Sequence, residues 1–329
     1  MSEPQTWRTV LGTIIQNAQE KQRIARELHV SPITLTRWAS GESIPRSPSL
    51  HGLVLVVPPQ YRELLLALIE EEFEGFLSSK EEGTEHIETM FIPVEFYARV
   101  LHTKAETSRT LLFSSLCDLI LQQALKQLDP YRVGMAITVA RCMPLHHENK
   151  VRSLREITGR GTAPWNDILD QQGILLGVES LAGHAVISGH LEINQRLGEK
   201  LNVSPGYQSE WEKSAVATPI MRTGMLAGSL LVSSTRSNYF LPAISRLVEN
   251  YADLIALAFE PGEFYEPKQI ELNALPPFAE QVPYIAQFRQ GVIEMMLQAM
   301  RNKRPITVLQ AEQLVWQQIE EQLLSQSFL

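Results

Sequence analysis

Residues 20–46 read EKQRIARELHVSPITLTRWASGESIPR. The spacing predicts a short helix over Gln22–Leu28, a tight turn at His29–Val30 and a second helix from Pro32 to Ala39. Ser31 is placed to N-cap the second helix, because its hydroxyl accepts from backbone N–H groups that a first turn leaves without partners. Pro32 fits the first helical position, where a missing donor costs nothing. Gly41 takes the left-handed conformation that ends a helix, with no Cβ to penalise it. Two helices joined so closely form a helix-turn-helix unit, whose second helix has the width to enter a DNA major groove.

Outward from this stretch, Thr6–Gln19 spaces Trp7, Val10, Leu11, Ile14, Ile15 and Ala18 by threes and fours. That period predicts one amphipathic helix. Ile24, Ala25 and Leu28 extend the apolar face, followed by Leu35 and Trp38. Leu50, Leu53, Val54 and Val57 complete a small helical domain before Pro58–Pro59 breaks the run. Tyr61–Leu77 then reads as either the last helix of this domain or a helix pairing two copies of the chain. Residues 70–88 hold eight acids and one Lys80, with Ser78, Ser79 and Gly83 among them, which predicts a charged linker.

The segment from about residue 8 to 57 resembles the phage-repressor/Cro type of helix-turn-helix domain. Ala25 stands where that family has a small residue, and Leu35 where it has a branched or leucine core residue. The run WASGESIPR is similar to its helix exit. His29 departs, because Gly is usual there, although His enters the left-handed region more readily than most side chains. The resemblance implies double-stranded DNA as partner. Ser31, Ile33, Thr34 and Arg37 project away from Leu35 and Trp38, with Thr36 near that edge. Arg suits guanine through two hydrogen bonds, and Ile and Thr suit thymine methyls. Gln22 stands at the family's phosphate-contacting position, flanked by Lys21 and Arg23, and Arg46 lies beyond the helix. The other reading of this polar face is an ordinary solvated surface.

Pro93–Leu128 reads as helix, broken near Thr103–Ser108. After Pro130 the period changes to two through Val133, Met135, Ile137 and Val139, which predicts a strand. Pro144–Lys150 reads as a hairpin loop, Val151–Thr158 as the partner strand, Gly159–Gly161 as a turn and Pro164–Gln172 as a short helical piece. Leu181–Gly189, LAGHAVISG, reads as a Gly-bounded strand or strand-turn. Ser214–Arg222 and Met225–Ser234 read as strands joined at Thr223–Gly224, and Tyr239–Phe259 as a closing helix.

From Arg109 to Glu260 this order is similar to the GAF sensory domain. SLAGHAVISGHLEINQ resembles its central segment, SAVATPIMRTGMLAGSLLVSS its final hairpin, and the helices 108–128 and 239–259 its flanks. The resemblance implies a small-molecule pocket near Gly183, Ser188, Gly189 and Asn194. Trp165, Trp211 and Arg155 are available for stacking or charge. Turn glycines and a filled core explain the same residues equally well. Because GAF domains take varied ligands or none, the fold leaves the ligand open.

Residues 261–282 are Pro-rich and read as a second linker. Pro283–Met300 and Thr307–Ser325 read as a helical hairpin too small to stand alone. It must dock on the GAF-like part, on the linker helix or on another chain.

The 329 residues carry a net charge of −8, which argues against a generally basic nucleic-acid binder. Residues 1–48 nevertheless hold six Lys/Arg against four acids. No apolar run approaches the roughly 20 residues of a membrane-spanning helix, and no secretory signal pattern opens the chain. Two cysteines cannot frame a disulfide scaffold of this length, so a reducing cytoplasmic setting fits. Cys142, His146 and His147 are metal-ligand types, but their spacing matches no zinc pattern. Cys117 reads as a small core residue. Asp167, Asp170, Glu179 and Glu192 show no spacing that singles out an acid/base pair, and no phosphate loop, dinucleotide fingerprint or nucleophile elbow is present.

The expectation is therefore a multidomain fold. An all-α helix-turn-helix domain spans 1–77, an acidic linker 78–92, an α+β GAF-like domain with a central antiparallel sheet 93–260, and a Pro-rich linker with a C-terminal helical hairpin 261–329. The expected function is a cytoplasmic, homodimeric, bacterial-type transcription regulator. It is not an enzyme and needs no metal, cofactor or membrane, and an unidentified small molecule acts on the GAF-like part. The alternatives are a protein-interaction module with a ligand-free GAF-like fold and, behind it, a GAF-like enzyme.

Overall fold

The computed structural model describes residues 5–28, 30–73, 91–145, 149–169, 173–196 and 211–326. The chain forms two compact units, residues 1–89 with 129–133, and residues 90–128 with 134–329.

The first unit is all helical: α1 (Trp7–Ile15), α2 (Ala18–Glu27), α3 (Pro32–Ser40), α4 (Ser47–Val56) and α5 (Pro59–Glu72). The single helix expected over residues 6–19 is two. Asn17 Oδ1 accepts from the Gln19 and Glu20 amides at 2.9 and 3.3 Å and so starts α2. The apolar spacing runs across this break because Ala18 lies in phase with Ile14 and Ile15, and the Asn cap signal was the stronger one. In α3, Ser31 Oγ accepts from the Thr34 amide at 3.2 Å, Pro32 opens the helix, and Gly41 closes it at φ 79°. His29 lies outside the described residues. Trp7, Leu11, Ile24, Leu35, Leu53, Leu65 and Ile69 are sealed in one core. Since α5 supplies Leu65, Leu66 and Ile69 to it, α5 is the last helix of this domain. Tyr131 and Val133 pack on the same core.

The second unit opens with α6 (Val94–Glu106) and α7 (Arg109–Leu128). Strands β1 (Met135–Cys142), β2 (Leu154–Gly161) and β3 (Leu175–Leu176) follow, then α8 (Leu181–Ser188) and β4 (Glu192–Asn194). Next come β5 (Ser214–Arg222), β6 (Met225–Ser234) and α9 (Pro242–Ile255). The strands form one antiparallel sheet in the order β3-β2-β1-β6-β5-β4. Period-two alternation gives it two different faces. Ile137, Val139, Val216, Leu230 and Val232 pack with α7 and α9 through Leu116, Ile120, Val248 and Tyr251. On the other face, Ala215, Ala217 and Leu231 pack with Leu181 and Ala185 of α8.

Several expected elements move. LAGHAVISG is the helix α8 and not a strand. Ser180 Oγ accepts from the Gly183 amide at 2.9 Å, Gly189 ends the helix at φ 68°, and the small residues between leave room against the sheet. Gly159–Gly161 lies inside β2 and is not a turn. Residues 164–169 form no helix, and 170–172 lie outside the described residues.

The Pro-rich stretch after α9 is not a loose linker. Tyr265 exchanges backbone hydrogen bonds with Leu226 at 2.8 and 2.9 Å, and the Val151 amide donates to Gln269 at 2.8 Å. Beyond it run α10 (Phe278–Ile285), α11 (Phe288–Arg301) and α12 (Val308–Gln326). Of the three docking choices, the structure takes the first. Val315, Trp316, Ile319 and Leu323 of α12 bury with Met143, Leu175 and Leu275 of the same unit. Ser153 Oγ also donates to the buried Glu320 Oε1 at 2.5 Å. Among the described residues, no helix is long and apolar enough to cross a membrane.

Candidate functional site

On the face of the sheet away from α7 and α9, a cavity of about 160 Å³ opens between the strands and the loop 162–169. Its floor is Ala136 and Thr138 of β1, Glu156 of β2, and Leu231 and Ser233 of β6. Pro164, Trp165, Asn166 and Leu169 wall one side, and Trp211 and Glu212, just before β5, wall the other. The placement follows from strand alternation: residues 137 and 139 face the helices, so 136 and 138 face the cavity. The register shift between Val139 and Ala140 leaves Ile157 as the extra residue of β2, beside Glu156. A bulge of this kind re-aims the side chains next to it.

Two carboxyls dominate the electrostatics. Glu212 is only 6% exposed, and its Oε1 accepts from Ser233 Oγ. Burial pushes its carboxyl up to about 8, opposed by the Ser233 hydrogen bond and reinforced by the nearby Glu156. Burial pushes Glu156 up to about 7, opposed by Thr138, whose hydroxyl donates to Glu156 Oε1 at 3.4 Å. Among the described residues, neither carboxyl has a cationic partner, and the Oε2 atom of each accepts no hydrogen bond. Trp211 is about half exposed, at 47%, and so marks the mouth of the cavity.

Of the residues expected around a ligand, the cavity gathers Trp165 and Trp211. Arg155 faces elsewhere. Its guanidinium lies 4.5 Å from the Trp316 ring centre, in a second cavity of about 290 Å³ shared with Arg141, Glu263 and Glu312. Burial, and then the like charge of Arg141, lower Arg155 to about 10. Gly183 is structural: a Cβ there would meet the Gly177 carbonyl oxygen at 2.0 Å. Ser188 and Gly189 end α8, and Asn194 Oδ1 accepts from the Arg196 amide at 3.2 Å beside β4. Sequence reasoning missed Glu156 and Glu212. Glu156 carries a readable signal, an acid in an alternating strand, whereas Glu212 lies in a loop whose path no period announces. Glu179 accepts from the Gly177 and Leu275 amides at 2.8 and 2.9 Å, which gives it a structural part and not an acid/base one.

Cys117 and Cys142 are buried free thiols, and burial pushes the Cys142 thiol up. His146, His147 and Asp170 lie outside the described residues.

In the first unit, α3 exposes Ser31, Ile33, Thr36 and Arg37, while Thr34 is half-buried. Ile33 is 64% exposed, large for an apolar side chain, and lies on the same helix as the exposed Arg37. Glu42 Oε2 stands 3.9 Å from Arg37 Nε, so an acid does border this face. On α2, Gln22 is exposed and Lys21 half-buried. Arg23 is held inside the unit: it pairs with Glu20 at 2.6 Å and Glu27 at 3.1 Å and donates to the Val56 carbonyl at 2.8 Å. Arg46 is exposed ahead of α4.

No family model matches the chain, and no curated protein matches it. Solved structures do. The type II free methionine-R-sulfoxide reductase of Thermoplasma acidophilum is 16% identical over 47% of this chain and 98% of its own, with a TM-score of 0.34. The GAF domain of an Acinetobacter phosphoenolpyruvate-protein phosphotransferase is 15% identical over 54% and 93%, with a TM-score of 0.36. The corresponding Coxiella burnetii GAF domain is 13% identical over 53% and 94%, with a TM-score of 0.37. At these identities and scores the likenesses assign no ligand and no activity.

Proposed function

We propose that this chain is a DNA-binding transcription regulator whose first unit reads operator DNA with α3 and whose second unit is a GAF-like sensory domain for a small molecule. The observation that carries the DNA reading is the exposed stripe of Ile33, Thr36 and Arg37 on a nine-residue helix, fixed at both ends by Ser31 and Gly41. An exposed Ile beside an Arg suits a thymine methyl beside a guanine edge. Lys21, Gln22 and Arg46 are the available phosphate contacts in this reading, while Arg23 holds α2 to the end of α4.

The sensory reading rests on the open cavity, since a sheet face filled by side chains would leave no space for a ligand. It involves no catalytic step. One helix of this length reads few base pairs, so two copies must place their α3 helices about 34–36 Å apart on successive major-groove faces. Val94, Tyr97 and Leu101 of α6, exposed at 78%, 38% and 59%, offer an apolar stripe for such pairing. A ligand shifts DNA affinity only by binding one arrangement of the dimer better than the other.

The test is a titration of the full chain on duplex DNA from upstream of its own reading frame, beside Arg37→Ala. Loss of a bidentate guanine contact costs about 1–3 kcal/mol, or roughly 5- to 150-fold in affinity. Equal binding by the wild type and the variant contradicts the docking of α3.

A further inference from the structure

We infer that the cavity between β1, β2, β6 and the loop 162–169 binds a small organic cation, a protonated primary amine held between Glu156, Glu212 and the two indoles of Trp165 and Trp211. This deepens the sensory reading of the second unit and rests on it. Four observations converge. The space is real: about 160 Å³ is comparable to the roughly 150 Å³ cavity that holds a benzene molecule, and the half-exposed Trp211 leaves a mouth for a longer tail. Its charge is one-sided, because the described lining contains two carboxyls and no Lys, Arg or His. Its hydrogen-bonding demand is also one-sided. The Oε1 atoms of Glu212 and Glu156 accept from Ser233 and Thr138, whereas neither Oε2 has a donor among the described residues. Finally, two tryptophans line the same space, and indole faces attract cations through the ring quadrupole.

Each alternative ligand class meets a specific obstacle. An anion would find no cationic side chain in the described lining, and what charge the two acids carry would repel it strongly in a water-poor space. A neutral ligand without N–H groups offers nothing to either Oε2 atom and forgoes the charge-assisted hydrogen bonds that an ammonium makes there. A bare divalent ion prefers six or more oxygen ligands and would share this space with two indoles, Leu169 and Leu231 as well as the polar groups of Thr138, Asn166 and Ser233, so magnesium is the direct control. A primary ammonium brings three N–H donors, enough for both free carboxylate oxygens with one to spare. Since burial holds both carboxyls partly protonated near neutrality, the entering cation displaces their protons and the proton count becomes a readout.

The experiment is calorimetric titration of the full chain at pH 7.5 with butylamine, 1-butanol, butyrate and magnesium chloride, each alone. Titrations are repeated in two buffers of different ionisation enthalpy and followed in parallel by tryptophan fluorescence. Butylamine is expected to bind saturably and release protons, while the other three do not bind. Glu212→Gln keeps the shape but cannot ionise when the cation enters, and should weaken butylamine by at least about tenfold. Trp211→Phe, at the mouth, keeps the fold and should lose the fluorescence response. The inference is overturned if butylamine fails to bind at millimolar concentration, if butanol, butyrate or magnesium binds as tightly, or if neither Glu212→Gln nor Glu156→Gln changes butylamine affinity. Saturable binding of butanol or butyrate at this cavity would leave the sensory reading intact and remove only the cation. Butylamine binding with unchanged DNA affinity would do the reverse.

Discussion

Glu212 keeps a proton that a solvated carboxylic acid would have lost near neutrality, because its carboxyl sits at 6% exposure beside Glu156 and Ser233. The folded chain therefore binds more protons than the unfolded chain between the ordinary carboxyl value of 4.5 and about 8. Stability contributed through this group falls as pH rises across that window, is level above it, and is unaffected below it, where both states are protonated. The expected outcome is a urea midpoint that drops less from pH 5 to pH 8 in Glu212→Gln than in the wild type. The difference should be on the order of 1–3 kcal/mol. An identical drop in both proteins would mean the carboxyl titrates normally. None of this was legible beforehand, because burial of an acid depends on which loop folds over it. Trp165 and Trp211 were named only as available for stacking near an expected pocket, and both line the cavity. Arg155 was misassigned to the same cavity, since its strand neighbours decide which face a side chain takes and Ile157 at the bulge disturbs the count.

At the scale of elements, the hairpin β5–β6 was legible to the residue. Thr223 and Gly224 take φ of 51° and 78°, the two-residue geometry whose twist matches paired strands. The segment α8 was not. Its glycines suggested a bounded strand, whereas Ser180 and Gly189 are the two caps of a helix. The small residues serve close packing: Gly183 sits where a Cβ would approach the Gly177 carbonyl oxygen to 2.0 Å. Gly183→Ala must push backbone aside and should cost about 1–3 kcal/mol, as overpacking does. Ser31→Ala removes the α3 cap and should cost about 1 kcal/mol in the first unit. Thermal unfolding of the two variants distinguishes them, since each acts on a different unit. A Gly183→Ala protein as stable as the wild type would show that α8 has slack the packing does not suggest.

At the scale of the molecule, the division into a helical unit and an α+β unit was legible from the change of period after Pro130 and from the acidic run at 70–88. Most of that run lies outside the described residues. The return of residues 129–133 into the first unit had no local signal, because it is set by Tyr131 and Val133 meeting a core built from residues far away in sequence. The Pro-rich stretch was misjudged as a linker for a similar reason. Proline removes donors only at its own positions, and Tyr265 and the residues around Ile270 still pair with the sheet and its neighbouring loop. In the proposed regulator, cavity occupancy changes how two copies present their α3 helices. The sequence-specific reading of DNA is therefore the claim on which the rest depends. Selection of duplexes from a random pool by the full chain tests it most directly. The account predicts an enriched, two-fold symmetric motif with half-sites about one helical turn apart, lost or relaxed in Arg37→Ala. Recovery of no preferred sequence, or of the same motif by wild type and Arg37→Ala alike, would contradict it.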